Sequence, residues 1–444
     1  MVQAVSTDHW LNQIVASPTI RAVRKQLSET DRVVLGGSYG SSSTLAAGAI
    51  SIHCNRPVLY VVAHLDEADE AVEDLRLFQE AGMPLDISHF PALEMLPGES
   101  NVNLDLLAQR LAVVNSLTSE HNTPGPTRHA IVAPIQALMQ AVPRPSAMDL
   151  YQVTIEAGKQ MPPAQLFDWL DRCGYQRTDA IEEPGDFASR GGIIDIFPPG
   201  GTSGHEGQLG AVRLDYFGDE VESIRYINTE TMGSFGDLQR IQIIGASAQQ
   251  LQADDQTTHF STLLPANTLV VMHELMELSE QARGYYERLT DPCGIYSPQS
   301  VFQHLTRSSH IEINQYSTKS NEDPAISLPI HPLPSFENNA AEAVQQVAQH
   351  SMAADAPRLI VLCQKPAERD RLRQLIKEHA PASINSIEIE IGYLHRGFSW
   401  SSPIPTEDSE NNIAPLDPIL IITVDGPIAI ISYPASWRLD IPVN

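Results

Sequence analysis

Arg213 and Asp215 stand two residues apart in the stretch AVRLDYF, a spacing that on a β-strand places a guanidinium and a carboxylate side by side on one face. Val212, Leu214 and Tyr216 alternate with them and belong to the opposite, apolar face. A guanidinium makes two parallel hydrogen bonds to a carboxylate, so an outward Arg-x-Asp pair suits ion pairing or recognition of another protein. Upstream, Gly192 to Phe197 is rich in isoleucine and is closed by Pro198 and Pro199, where ladder donors end, so it reads as the partner strand of a hairpin. Gly200 to Gly210 is then expected as a long, mobile hairpin loop. Arg177 and Arg190 lie near turns of the same region, and Phe187, three residues before Arg190, is expected as an exposed aromatic anchor. The residues alone favour a plainer account, in which each arginine pairs with Glu182, Glu183 or Asp186 nearby.

A second stretch has the setting for phosphate chemistry without its reagents. After the apolar run Arg32 to Gly36 come Gly36, Gly37 and Gly40 and then a helical pattern, as in a phosphate-binding turn. Where Gly-Lys-Thr would stand, the chain has Ser41, Ser42 and Ser43. Backbone dipoles without a lysine are too little for a dedicated ATPase site, and Gly37, Gly40, Ser42 and Ser43 read as a degenerate nucleotide loop. The aspartate expected to hold magnesium at the end of a later strand is His273, followed by Glu274. The string HELME lacks the second histidine of a zinc protease. No catalytic residue, metal site or cofactor is assigned.

The elements that must position these residues follow from periodicity. Arg32–Gly36, Val58–Val62, His129–Ala133 and Leu269–Met272 read as buried strands of a parallel sheet, separated at first by helical patterns of which Asn103–Leu117 is the clearest. The fourth run lies far downstream, so the hairpin region reads as an insertion, with Pro162–Cys173 as its helix. Trp169 of that helix reads as core. Helical stretches follow at Glu274–Glu287 and Pro298–Leu305, then polar interruptions at Tyr316–Asp323. Ala340–His350 and Pro366–His379 read as helices and Arg358–Gln364, Ile387–Ile391 and Ile419–Asp425 as strands, with a loop over Ser402–Pro415. The expected architecture is α/β: residues 1–150 and 246–335 form one domain, split by an inserted α+β domain over 151–245 and followed by an independent small α/β domain over 336–444.

The chain has 444 residues, 42% of them hydrophobic, and a formal net charge of −27 from 55 acidic and 28 basic residues. That charge repels a phosphate backbone at long range and makes free DNA a poor principal ligand, although screening within roughly 8–10 Å leaves room for a local basic site. Four widely spaced cysteines suggest neither zinc nor a disulfide framework. With no run of eighteen apolar residues and no secretory leader pattern in Met1–Leu27, a cytoplasmic protein without membrane contact is expected.

GYQRTDAIEEPGDFASRGGIIDIFPPG followed by VRLDYFGDEVESIRYI closely resembles the UvrA-binding domain shared by the excision-repair protein UvrB and the transcription-repair coupling factor (Mfd) family. FPALEMLPGES at Phe90–Ser100, IVAPIQAL at Ile131–Leu138 and LPSF at Leu333–Phe336 agree in order, and AERDRLRQLI at Ala367–Ile376 with HRGF at His395–Phe398 resembles the coupling factors' third domain. The resemblance implies a degenerate P-loop, helicase-like sheet domain split by a UvrA-binding insertion. It implies a UvrA-recruiting adaptor in transcription-coupled nucleotide excision repair, with contacts at Arg177, Arg190, Arg213 and Asp215 and further candidates at Phe187 and Ile194. The family's RNA-polymerase-binding domain and ATP-driven DNA translocase are expected beyond residue 444, and contact with RNA polymerase or DNA belongs to them. Two alternatives stay open: a non-catalytic docking module that regulates other domains or subunits, and a residual ATP-binding enzyme of the helicase class.

Overall fold

In a computed structural model the chain is described over residues 9–93, 103–118, 128–199, 210–229, 231–245, 255–316, 325–333, 336, 339–352, 356–401, 418–425 and 429–430. The expected loops over 200–209 and 402–415, the interruption at 317–323 and parts of the FPALEMLPGES and LPSF segments lie outside these residues. Among the described residues no helix is long and apolar enough to cross a membrane.

Seven parallel strands form the large sheet, in the order Ile326–Ser327, Arg32–Gly36, His310–Asn314, Leu269–His273, Val58–Val62, His129–Pro134 and Asp86–His89. All four apolar runs take their places in it. Leu269–His273 and His310–Asn314, from beyond the insertion, lie between Arg32–Gly36 and Val58–Val62 from before it, so the two sequence segments build one domain. Val58–Val62 is buried along its whole length, as expected for a strand covered by helices on both faces. His310–Asn314 escapes a hydrophobicity reading because Glu312, 6% exposed, interrupts it. That buried carboxylate accepts two hydrogen bonds from Arg32 on the neighbouring strand, Nε to Oε1 at 2.7 Å and Nη2 to Oε2 at 3.2 Å.

The insertion opens and closes on an antiparallel pair, Gln152–Glu156 with Arg240–Ile244. Between them a six-stranded sheet runs in the order Ser234–Leu238, Glu220–Ile227, Ala211–Phe217, Ile193–Ile196, Asp186–Arg190, Gln176–Arg177, antiparallel except for the last pair. Period-two alternation sends Phe187, Ile194, Ile196, Val212 and Leu214 to one face, where they pack with Leu166 and Leu170 of the helix Pro163–Arg172. The proline at the first turn starts that helix without losing a bonded donor, and Gly174 past its end takes φ +84°.

The last sheet runs in the order Ile330–His331, Phe398–Trp400, Ile419–Asp425, Arg358–Cys363, Ile387–Ile391, with Ala429–Ile430 added to Ile419–Asp425. Its two central strands are buried on both faces, over Leu359–Cys363 and Ile419–Thr423. Leu359, Val361 and Cys363 pack with the helices Ala340–Ser351 and Pro366–His379. The alternate residues Ile360 and Leu362, with Leu394, Phe398, Trp400 and Ile421, join the core of the large-sheet domain beside Leu45, Ile50, Leu75 and Phe78. The expectation of an independent unit beginning at 336 is therefore corrected: the sheet starts at Ile330 and shares one core with the first domain. Trp10, fully buried, adds a tie through Nε1, which donates to Glu390 at 2.9 Å.

Candidate functional site

The outward face of the inserted sheet carries the charges that the alternation reserves for it. Arg213 lies opposite Asp195 on one neighbouring strand and Arg225 on the other, and Asp215 lies opposite Ile193 and Ser223. Arg213 and Asp215 do not bond each other. Arg213 grips Asp195 in a two-toothed pair, Nε to Oδ1 at 2.7 Å and Nη2 to Oδ2 at 2.8 Å, and Asp215 accepts from Arg225 Nη2 and Ser223 Oγ, both at 2.5 Å. These cross-strand pairs, rather than pairs with Glu182, Glu183 or Asp186, hold the two residues. Asp186 instead accepts from the backbone of Glu182 and Glu183 and shapes their turn. Asp195 and Arg225 went unremarked in the sequence because their pairing depends on strand register.

The pairs set the charge states. The hydrogen bond to Asp195 raises the pKa of Arg213 above its ordinary value. Burial alone would raise that of Asp215, but the hydrogen bonds from Ser223 and Arg225 and the nearby guanidinium charges bring it below the usual carboxylate value. Both pairs are partly exposed, the side chain of Arg213 by 20% and that of Arg225 by 38%. The face thus presents fixed, oriented guanidinium edges at little further ordering cost.

Arg190 is exposed on the same face, its Nη2 donating to the Asp179 carbonyl at 2.6 Å. Arg177 is not with it. It lies in register with Phe187, and its guanidinium carbon sits 5.3 Å from the ring centre of Phe167, on the helix side of the sheet. Phe187, expected as an exposed anchor, is 0% exposed and stacks on Phe167 at 5.9 Å between ring centres, because its strand position points inward. Ile194 is 2% exposed for the same reason. Both belong to the core. Among the described residues the exposed large apolar side chains of the sheet are Ile193 (38%), Phe235 (52%) and Phe217 (81%); Phe235 pairs with Tyr226, and by the same alternation Ile193 and Phe217 fall on the face of Arg190 and Asp215.

The degenerate loop also takes its expected place, between the strand Arg32–Gly36 and the helix Ser42–Cys54. Gly37 and Gly40 adopt φ +88° and +58°, the left-handed region that glycine enters without strain. The serine hydroxyls face inward. Ser42 Oγ accepts from the Tyr39 amide at 2.9 Å, and Ser43 Oγ accepts from Tyr60 Oη at 3.1 Å. His273 stands across the pocket, and burial, with the Arg396 charge adding to it, lowers its pKa to about 4, leaving a neutral ring at pH 7. Glu274 follows in a left-handed conformation, and its carboxylate caps the Gln315 amide. Among the described residues one group could gather around a metal ion: His64, Glu67 and Glu277, with ligand atoms within 4.8 Å of one another. Within it His64 already bonds Glu277 at 2.9 Å, and Glu67 accepts from the amides of Ala63 and His64.

The family described as UvrB interaction domain matches residues 153–248, which frame the insertion just described. A transcription-repair-coupling factor of Bacillus subtilis (strain 168) is 30% identical over 272 residues, covering 56% of this chain and 21% of that protein. One from Escherichia coli (strain K12) is 26% identical over 217 residues, covering 48% and 17%, and one from Staphylococcus aureus (strain bovine RF122 / ET3-1) is 24% identical over 220 residues, covering 49% and 17%. The matched segments span about a fifth of the length of these relatives. Among solved structures, a DUF1998 helicase MrfA bound to DNA aligns with 84% of this chain and 39% of its own, at 10% identity and a TM-score of 0.25, too low to bear on function. The chain thus resembles the UvrB-like N-terminal module of the transcription-repair-coupling factors, and its inserted domain matches the UvrB interaction domain family.

Proposed function

We propose that this chain is an adaptor that recruits UvrA through the outward face of its inserted sheet, as a part of transcription-coupled nucleotide excision repair. The observation that carries this reading is a single face, within the segment matching the UvrB interaction domain, that holds Arg190, two register-locked Arg–Asp pairs and the exposed Phe217 and Ile193. An aromatic anchor beside pre-oriented guanidinium groups is the composition of a protein-binding hot spot. Arg190, Arg213, Asp215 and Phe217 are the proposed contacts. Arg177, on the helix side, is assigned only to a partner that wraps around the edge of the sheet.

We propose no catalytic step for the chain. The loop supplies no lysine, and its serine hydroxyls are already bonded within the protein. The test is binding of purified UvrA to the intact chain and to Arg190→Ala and Phe217→Ala variants, by calorimetry. An affinity at least about ten-fold lower in both, at an unchanged melting temperature, is expected of contacts worth above about 1.4 kcal/mol each. Undiminished affinity in the folded double variant sinks the assignment of this face.

A further inference from the structure

The lysine-less loop is already covered, and by this chain itself. The turn His395–Gly397, which leads into the strand Phe398–Trp400 of the last sheet, lies on Gly40 and Ser41. Ser41 N donates to the Arg396 carbonyl at 3.0 Å, and Arg396 N donates back to Ser41 Oγ at 3.0 Å. A two-way clasp of backbone and hydroxyl therefore sits where the amides of a phosphate loop would face an anion. The fit is close: a Cβ on Gly40 would lie 2.8 Å from the Arg396 carbonyl oxygen, and one on Gly397 would lie 2.5 Å from that of Ile421.

Acid groups complete the seat. Asp74 of the helix Leu65–Glu80 is 2% exposed and accepts from the His395 amide at 2.9 Å and from its Nδ1 at 3.0 Å. Glu73 lies 3.3 Å from His395 Nε2, and Glu70 lies 3.8 Å from Arg396 Nη2. The remaining cavity, between Gly40, Thr44, Tyr60, Glu67, Asp74 and His273, measures about 50 Å³. Ligand pockets run to roughly 300–1,000 Å³. Carboxylates along the wall would repel a triphosphate even if the turn were withdrawn.

We infer that the pocket at this loop is a socket for the His395–Gly397 turn of the same chain, a binding site for a histidine-bearing turn that fastens the last sheet to the first domain and keeps nucleotide out. The shared core explains why the two units touch, and the socket explains why they touch in one register: hydrogen bonds to Ser41 and Asp74 are directional where apolar packing is not. Burial opposes a charged ring at His395, yet the bond to Asp74 and the charges of Asp74, Glu70 and Glu73 raise its pKa above the ordinary value.

Amide hydrogen exchange on the intact chain tests the socket, with His395→Ala and the milder Ser41→Ala, which removes one acceptor and leaves the acid seat whole. Exchange should accelerate about ten-fold in the first and about three-fold in the second, in residues 39–45 and 393–400 together, with residues 211–227 of the insertion unchanged. A fluorescent ATP analogue with magnesium should not bind the unaltered chain. Exchange within about two-fold of the parent in both variants overturns the inference. So does saturable binding of the analogue by the unaltered chain.

Discussion

Asp195 on the inserted sheet and Asp74 beneath the glycine loop are both carboxylates that hold a basic residue, yet they leave different things to solvent. Asp195 bonds only side-chain atoms of Arg213, and the pair stays partly open, with the side chain of Arg213 20% and that of Asp195 11% exposed. Asp74 bonds both the backbone and the ring of His395 and is sealed under a turn of another sheet. The first arrangement orients a group for something else to touch. The second uses up the group in holding the fold together. Polar residues near a turn therefore signal binding only when the register leaves part of their hydrogen-bonding capacity outward.

That contrast is broken most forcefully through the core beneath the open face. Phe187→Ala should cost about 3–5 kcal/mol of stability in the inserted domain, as large aromatic truncations do, and its effect on UvrA binding should follow unfolding. Urea unfolding monitored at the insertion reads this, and a stable variant with lost binding would return Phe187 to the interface. Next, Asp74→Ala should destabilise the joined first and last domains by about 2–3 kcal/mol, because it orphans the His395 amide and ring. Differential calorimetry should show no matching loss in the insertion. Arg213→Ala should cost about 1–2 kcal/mol by leaving Asp195 without its two-toothed partner, and UvrA binding should weaken as well. A cycle with Asp195→Ala separates the two effects, since the double variant keeps the binding defect but recovers part of the stability.

The smallest effect is a pH dependence confined to the socket. The raised pKa of His395 means that its contribution is complete below the unfolded value of about 6.5 and is lost as pH rises through the folded value above it. The lowered pKa of His273 works in the other direction: its contribution is complete above 6.5 and is lost as pH falls toward about 4. Exchange protection at residues 39–45 should therefore peak near pH 6.5 and fall on both sides once corrected for intrinsic rates, and a monotonic profile would remove one of the two histidines from the account. The groups facing these rings are Asp74, Glu73 and Glu70 from the helix Leu65–Glu80, Glu277 from the helix Leu275–Glu287, Glu274 and Tyr60 beside His273, Tyr393 beside His395, and Arg396.

Much of the fold was readable because its signals are local. Pro298–Leu305 and Pro366–His379 form helices over the expected residues, each opening on a proline. Ile387–Ile391 and Ile419–Asp425 are strands over the expected residues. What sequence could not supply was register and neighbourhood. The strand His310–Asn314 hides behind Glu312, whose burial makes sense only beside Arg32, 280 positions away. Phe187 sits among charges in DFASR and reads as exposed until the strand's parity turns it inward. Arg213 and Asp215 were placed on the correct face, but their partners Asp195 and Arg225 follow from cross-strand pairing that no spacing encodes. The turn that fills the glycine loop comes from a sheet more than 350 residues downstream.

The insertion joins its host through the antiparallel pair Gln152–Glu156 and Arg240–Ile244, with Gln152 directly opposite Ile244. Entry and exit therefore lie about one strand spacing apart, roughly 5 Å. Seen from the host, ninety residues begin and end at nearly the same point, like the two legs of a single surface loop. A partner pulling on the outward face would exert its force through this neck and through Leu104 of the helix Leu104–Thr118, which packs on the insertion's core beside Gly174 and Gly185. The host could gain or lose such a domain by recombination while its own ends stayed in place, and the load path from a captured protein would run through the strand pair and the Leu104 contact beside it.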